Sequence, residues 1–146
     1  AFEFAGTCSD MVDSNIIFKT KVDEACTAAE KFTQLYYDCM DKRRHVVGKL
    51  YLDTATLIWN GNAVNGLNDI QKFLQELPAT DHNITSLDSQ PVIGDGVNQQ
   101  DMILVQTAGY VKAMDKQFSQ NFLLTAAGDK WKIVTDCFRY HESLVT

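Results

Sequence analysis

No hydrophobic run in this chain is long enough to cross a membrane, and none of its four cysteines sits in a Cys-x-x-Cys pair. A helical span needs about 20 consecutive apolar residues, so no membrane-spanning helix is expected. Cys8, Cys26, Cys39 and Cys137 are scattered, with no Cys/His cluster at zinc spacing. Free thiols in a reducing compartment are the expectation, with no metal and no cofactor. Basic residues are outnumbered, 13 Lys and Arg against 19 Asp and Glu, for a net charge of -6. The basic footprint of a nucleic-acid binder, or of a chain that rests on anionic lipid, is missing. The start, "AFEFAGTCSDMVDSN", lacks a basic region ahead of a long apolar core and does not read as a secretory signal. Asn83-Ile84-Thr85 therefore reads as a chance match to a glycosylation acceptor. There is no nucleophile–base set, no phosphate-binding loop and no internal repeat.

What is present is an ordinary globular composition. The 146 residues are 45% hydrophobic and 10% aromatic, enough for one domain with a substantial core. Residues 1–17 are small, polar and acidic and read as a loosely ordered tail, with the domain spanning 18–146. Phe18, Val22, Ala25, Ala29, Phe32, Tyr36 and Cys39 step by three and four, the apolar stripe of one long helix. Asp41 is placed to cap a short second helix in "KRRHVVGKLY", with Val46, Val47 and Leu50 inward. Thr54 to Trp59 reads as a strand. Asn60-Gly61 is a hairpin signal, because a type I′ turn needs positive φ at both central residues. Ala63-Val64 begins the return strand and Asn65-Gly66 ends it. Asn68 reads as a helix cap with Gln71 three residues on. Ile70, Phe73, Leu74 and Leu77 are the buried face, and Pro78 stops the helix.

Four strand-like runs follow: "HNITSLDSQPVI", "DMILVQTAGYVKAM", "QFSQNFLLTAA" and "KWKIVTDCFRYH", separated by Gly- and Asp-bearing turns. Helices followed by a strand meander indicate an α+β fold, with helices on one face of a bent antiparallel sheet. Taking Gly128-Asp129-Lys130 as the last turn places Asn121 opposite Cys137 and Leu123 opposite Thr135. Alternation then separates a core face (Phe118, Phe122, Leu124, Val134, Phe138) from a mixed face (Asn121, Leu123, Thr125, Thr135, Cys137, Arg139). The mixed face has the composition of a protein–protein interface. Arg139 is either a solvated strand-end arginine or half of a bidentate pair with a partner's carboxylate.

These segments resemble the nuclear transport factor 2 family. The resemblance rests on "FTQLYYDCMDKRRHVVGKLY", "ATLIWNGNAVNGLNDIQKFLQELP", "FSQNFLLTA" and "WKIVTDCFRY", and covers about residues 18–141. It implies a cone-shaped fold, a bent antiparallel sheet around one long and two short helices, and dimerisation through the outer sheet face. The likeness is to the export branch of the family. That branch implies a non-enzymatic subunit that heterodimerises with the large messenger RNA export receptor. The pair supports nucleoporin engagement and shuttles between nucleus and cytoplasm through the nuclear pore. The resemblance places Arg139 against an acidic residue of the partner, with Cys137 on the same face.

Two other functions share the fold. A homodimeric carrier of GDP-bound Ran would use an acidic cluster near a strand turn, and "IGDGVNQQDM" supplies only Asp95 and Asp101. An isomerase or dehydratase would use a polar group in the cone, with Tyr36, Tyr37, Asp136 and His82 as candidates. The run Lys42-Arg43-Arg44-His45 reads as a solvated helix face. Trp59 and the Asn-Gly pairs read as structural.

Overall fold

The computed structural model describes residues 8–92 and 101–142, with side chains from residue 15. Helix α1 (Cys8–Lys42) leads into a 3-10 helix (Arg44–Leu50), then β1 (Tyr51–Trp59), β2 (Asn62–Asn65), α2 (Leu67–Gln75), β3 (His82–Val92), β4 (Met102–Val111), β5 (Lys116–Ala127) and β6 (Lys130–Tyr140). The six strands form one sheet in the order β2-β1-β6-β5-β4-β3.

One pairing departs from the expected antiparallel sheet. β1 runs parallel to β6, with Leu57 beside Asp136 and Trp59 beside Phe138. The meander β3–β6 is antiparallel throughout. Its last strand docks along the free side of the first hairpin in the same direction, a pairing that no local turn encodes. The sheet is mixed, and the α+β class stands.

Helix α1 starts earlier than its periodicity suggests. Of the segment read as a tail, residues 8–17 are helical, and residues 1–7 lie outside the described residues. A 35-residue helix is about 52 Å long at 1.5 Å per residue, so it overhangs the layer it packs on. Ile16, Ile17 and Phe18 are more than half exposed, and the expected burial of Phe18 does not occur. The stripe engages the core from Ala25 onward, through Ala29, Phe32, Tyr36, Cys39 and Met40.

The hairpin follows the sequence rule. Asn60 has φ 46° and Gly61 φ 84°, and Trp59 pairs with Asn62. The Asn60 side-chain oxygen also accepts the Tyr140 backbone N–H at 2.8 Å, which locks the turn to the last strand. Trp59 is buried and stacks on Phe138, centroids 3.8 Å apart and planes 5° from parallel. The start of α2 differs from expectation. Gly66, at φ 87°, occupies the cap position without a side-chain hydrogen bond, and Asn68 is exposed. Gln71 binds the 3-10 helix instead, accepting the Gly48 N–H at 2.6 Å and donating to the Arg44 carbonyl at 3.0 Å.

Candidate partner-binding face

Two local irregularities set which side chains point outward on β5 and β6. The turn holds two residues, Gly128 and Asp129, because Ala127 pairs with Lys130. Alone, that would shift every pair by one from the three-residue turn read in the sequence. A bulge restores the shift: Leu124 pairs with Ile133 but Leu123 pairs with Thr135, leaving Val134 unpaired. Beyond the bulge Asn121 faces Cys137 and Ser119 faces Arg139, as expected. Between bulge and turn the faces of β6 swap: Ile133, not Val134, enters the core. Thr125, on the unbulged β5, alternates with core Leu124 but is buried, its hydroxyl bonded to the Asp101 carbonyl at 3.4 Å. The expected core face thus fails at Val134.

The outward positions extend across the sheet in hydrogen-bonded rows. Asp88, Gln106, Asn121 and Cys137 form one. Gln90, Leu104, Leu123 and Thr135 form the next, and Ser86, Ala108, Ser119 and Arg139 lie on the other side. Asn121, Thr135, Cys137 and Arg139 are exposed and Leu123 is half-buried. Leu104 and Tyr110 are each 37% exposed. No helix of the described residues covers this face. β4 was the contribution missed: strict alternation through "MILVQTAGYV" would have placed Leu104, Gln106, Ala108 and Tyr110 on one side.

Asp88 and Arg139 are the charged side chains of these three rows. They sit three strands apart, about 14 Å at ordinary strand spacing, too far to pair. Among the described residues no carboxylate lies within ion-pair distance of Arg139. Its guanidinium lies beside the hairpin turn, where a Cβ on Gly61 would come 3.8 Å from Nη1. Glu142 feels the Arg139 charge but spends its ion pair on Lys116. The surface therefore combines aliphatic, amide and hydroxyl groups with one cation that has no direct carboxylate contact.

The enzyme candidates lie on the opposite side of the sheet, sealed in the core. Asp136 Oδ2 accepts hydrogen bonds from Tyr51 at 2.6 Å and Tyr36 at 3.3 Å. Its Oδ1 accepts one from Gln120 at 2.9 Å. The Tyr37 hydroxyl lies 2.7 Å from both Thr107 Oγ1 and Gln120 Oε1. Burial pushes the Asp136 carboxyl up to about 6 against the pull of its three donors. Burial and the neighbouring Asp136 charge raise the Tyr36 and Tyr51 phenols well above their ordinary range. Asp136, Tyr36, Tyr51 and Gln120 are each at most 1% exposed, beneath Phe118, Phe122 and Phe138. A substrate has no contact with these groups unless the cone opens.

His82 belongs to a separate cluster. Its Nδ1 lies 2.6 Å from Asp41 Oδ1, and its backbone N–H reaches Asp41 Oδ2 at 2.9 Å. Thr80 donates to the same carboxylate at 2.9 Å. Burial would raise the Asp41 pKa, but the hydrogen bonds from His82 and Thr80 together hold it below its ordinary value. Asp41 thus ties the end of α1 to the start of β3 rather than capping the 3-10 helix.

The basic run is only partly a solvated face. Arg44 is half-buried and donates to the carbonyls of Met40 at 3.0 Å, Leu74 at 3.3 Å and Leu77 at 2.7 Å, and to Thr80. It closes the carbonyl ends of both α-helices. Lys42 and Arg43 stay exposed and share Asp38. Asp101 is exposed, and Asp95 lies outside the described residues. Asn83 and Thr85 are on β3, with the Thr85 hydroxyl bonded to the Ala108 carbonyl. The described residues hold no cluster of His, Cys, Asp and Glu suited to a metal ion.

A six-stranded sheet with helices packed on one face and the other face open defines the cone class of α+β domains. The family model of the nuclear transport factor 2 (NTF2) domain matches residues 28–140, and the chain belongs to that family. It is 48% identical over 136 residues to NTF2-related export protein 2 of Homo sapiens, covering 88% of this chain and 96% of that one. Among solved structures it is similar to nuclear transport factor 2 of Cryptosporidium parvum. That match has a TM-score of 0.67 at 25% identity and covers 81% of this chain and 95% of the other. A hexachlorocyclohexane dehydrochlorinase shares the fold alone, with a TM-score of 0.56 at 12% identity, covering 85% of this chain and 90% of that one.

Proposed function

We propose that this chain is a non-enzymatic nuclear export subunit. It pairs through its open sheet face with the large messenger RNA export receptor, whose own domain has the same fold. The pair engages nucleoporins and shuttles between nucleus and cytoplasm through the pore, and the chain itself grips no nucleic acid. The observation that carries this reading is the uncovered face around Arg139, Cys137, Thr135, Asn121 and Leu123. An exposed sheet face with half-buried Leu123, part-exposed Leu104 and Tyr110 and few charges has the make-up of an interface core. Specific interfaces bury about 800 Å² per partner, an area that four long strands supply. Arg139, which forms no ion pair among the described residues and has only the more distant Glu142 near it, favours a partner that presents a carboxylate. The relatives named as export proteins support the transport role.

The sealed cone supports a structural rather than catalytic duty for Asp136. Its two carboxyl oxygens are occupied by three donors, and none of its neighbours opens to solvent.

The test is affinity capture of the tagged full chain from nuclear extract, with mass spectrometry of the co-purifying proteins. One large partner in equal amount, lost with Arg139→Asp, is the expected result. Ran as the main partner would move the chain to the carrier class, and no stoichiometric partner would overturn the reading.

A further inference from the structure

A second surface lies on the helix side of the sheet, away from the open face. A groove of about 790 Å³ runs between the middle of α1, the end of the 3-10 helix and the start of β6. Phe32, Leu35, Leu50 and Trp131 supply its apolar floor. Leu35 is 43% exposed, and Trp131 is half-buried. Such surface loses free energy to water at about 25 cal/mol per Å².

The bulge that restores the register on the open face also builds this groove. Uninterrupted alternation from Phe138 and Asp136 would bring Val134 and Lys132 to the helix side and turn Trp131 outward. Because Val134 is unpaired, Ile133 enters the core and Trp131 follows it to the helix side, where it lines the groove with its neighbours Lys130 and Lys132 at the rim. Bulges recur where a strand must re-aim a side chain at a functional site.

The rim is basic in an acidic chain. Lys31, Lys49, Lys130 and Lys132 line the groove, and among the described residues none of them pairs with a carboxylate. Asp23 and Glu24 lie at the α1 wall of the same groove. The lining thus carries four cations against two anions in a chain whose net charge is -6.

We infer that this groove docks a short amphipathic peptide segment of a partner protein, one that carries apolar side chains flanked by carboxylates. Charge complementarity selects the acidic flanks. The aromatic and aliphatic floor selects apolar anchors and disfavours a polyanion such as RNA, which this acidic chain would repel overall. An amphipathic helix laid into an apolar groove is a recurrent mode of recognition. Because the groove and the open sheet face are on opposite sides of the sheet, both partners bind at once.

The experiment is selection of random 16-residue peptides on the purified full chain, followed by fluorescence polarisation with the enriched sequences. The expected result is enrichment of Asp or Glu beside Leu, Ile or Phe. Lys130→Glu combined with Lys132→Glu weakens those peptides tenfold or more at low salt. The charge-reversed chain keeps its melting temperature, since both lysines reach solvent. Arg139→Asp leaves peptide affinity unchanged, which separates this site from the open face. Enrichment of neutral or basic peptides, affinity untouched by the lysine reversal, or tighter binding of an oligouridylate than of any peptide would each overturn the inference.

Discussion

The Tyr51 hydroxyl lies 2.6 Å from Asp136 Oδ2, inside a core where no cation reaches the carboxylate. Burial therefore dominates, and the Asp136 pKa rises from 3.8 to about 6. A group whose folded pKa is raised stabilises the fold fully below its unfolded pKa and loses that contribution as pH rises through the folded value. The loss runs from about pH 4 to just above pH 6 and amounts to roughly 3 kcal/mol, at 1.36 kcal/mol per unit. Asp41 acts in the opposite direction and in another window. Its pKa is depressed, so its contribution is present above about pH 4 and lost on further acidification.

Asp136→Asn isolates the first effect. The amide is neutral at every pH, so the variant's melting temperature relative to the wild type rises as pH goes from 4 to 7.5. Gln120 turns its amide over to meet the new donor, with the Tyr37 hydroxyl accepting on its far side. Calorimetry at several pH values reads the difference, and a constant offset across that range would contradict the assignment.

Arg44 is structural while its neighbours are not. Arg44→Ala leaves carbonyls at the ends of α1 and α2 without their donors, a loss of roughly 2–3 kcal/mol in urea unfolding. Lys42→Ala and Arg43→Ala each cost under about 1 kcal/mol, as exposed ion pairs do. Equal effects at all three positions would refute the clamp.

The Asn60-Gly61 turn needs left-handed backbone at both residues, with Gly61 at φ 84°. Gly61→Ala has space for its methyl but not the conformation, and costs roughly 1–2 kcal/mol. A melting temperature equal to the wild type would show that the turn relaxes to another type.

Much of this fold was legible because strand alternation and turn chemistry are local. Phe118, Phe122 and Phe138 fell on the core side, and Asn60-Gly61 made the hairpin, from residue type and spacing alone. Three things escaped for physical reasons. Val134 is an ordinary strand residue, and nothing in its chemistry announces that it is bulged out, so it was placed in the core where Ile133 stands. The parallel docking of β1 on β6 joins segments some 80 residues apart and has no local signal. Gly66 rather than Asn68 starts α2, because the chain leaves β2 through a positive φ that only glycine takes easily. On the open face Asn121, Leu123, Thr135, Cys137 and Arg139 were readable from alternation. The β4 side chains beside them were readable too, but only once the sheet order was known.

The central claim is that Arg139 meets a carboxylate of a partner chain across the open sheet face. The direct measurement is the affinity of the full chain for the large messenger RNA export receptor by isothermal titration calorimetry, for the wild type and for Arg139→Asp. The account predicts tight one-to-one binding by the wild type and a loss of a hundredfold or more in the variant, which brings like charges together. Equal affinity of the two chains, or no binding by either, would contradict it.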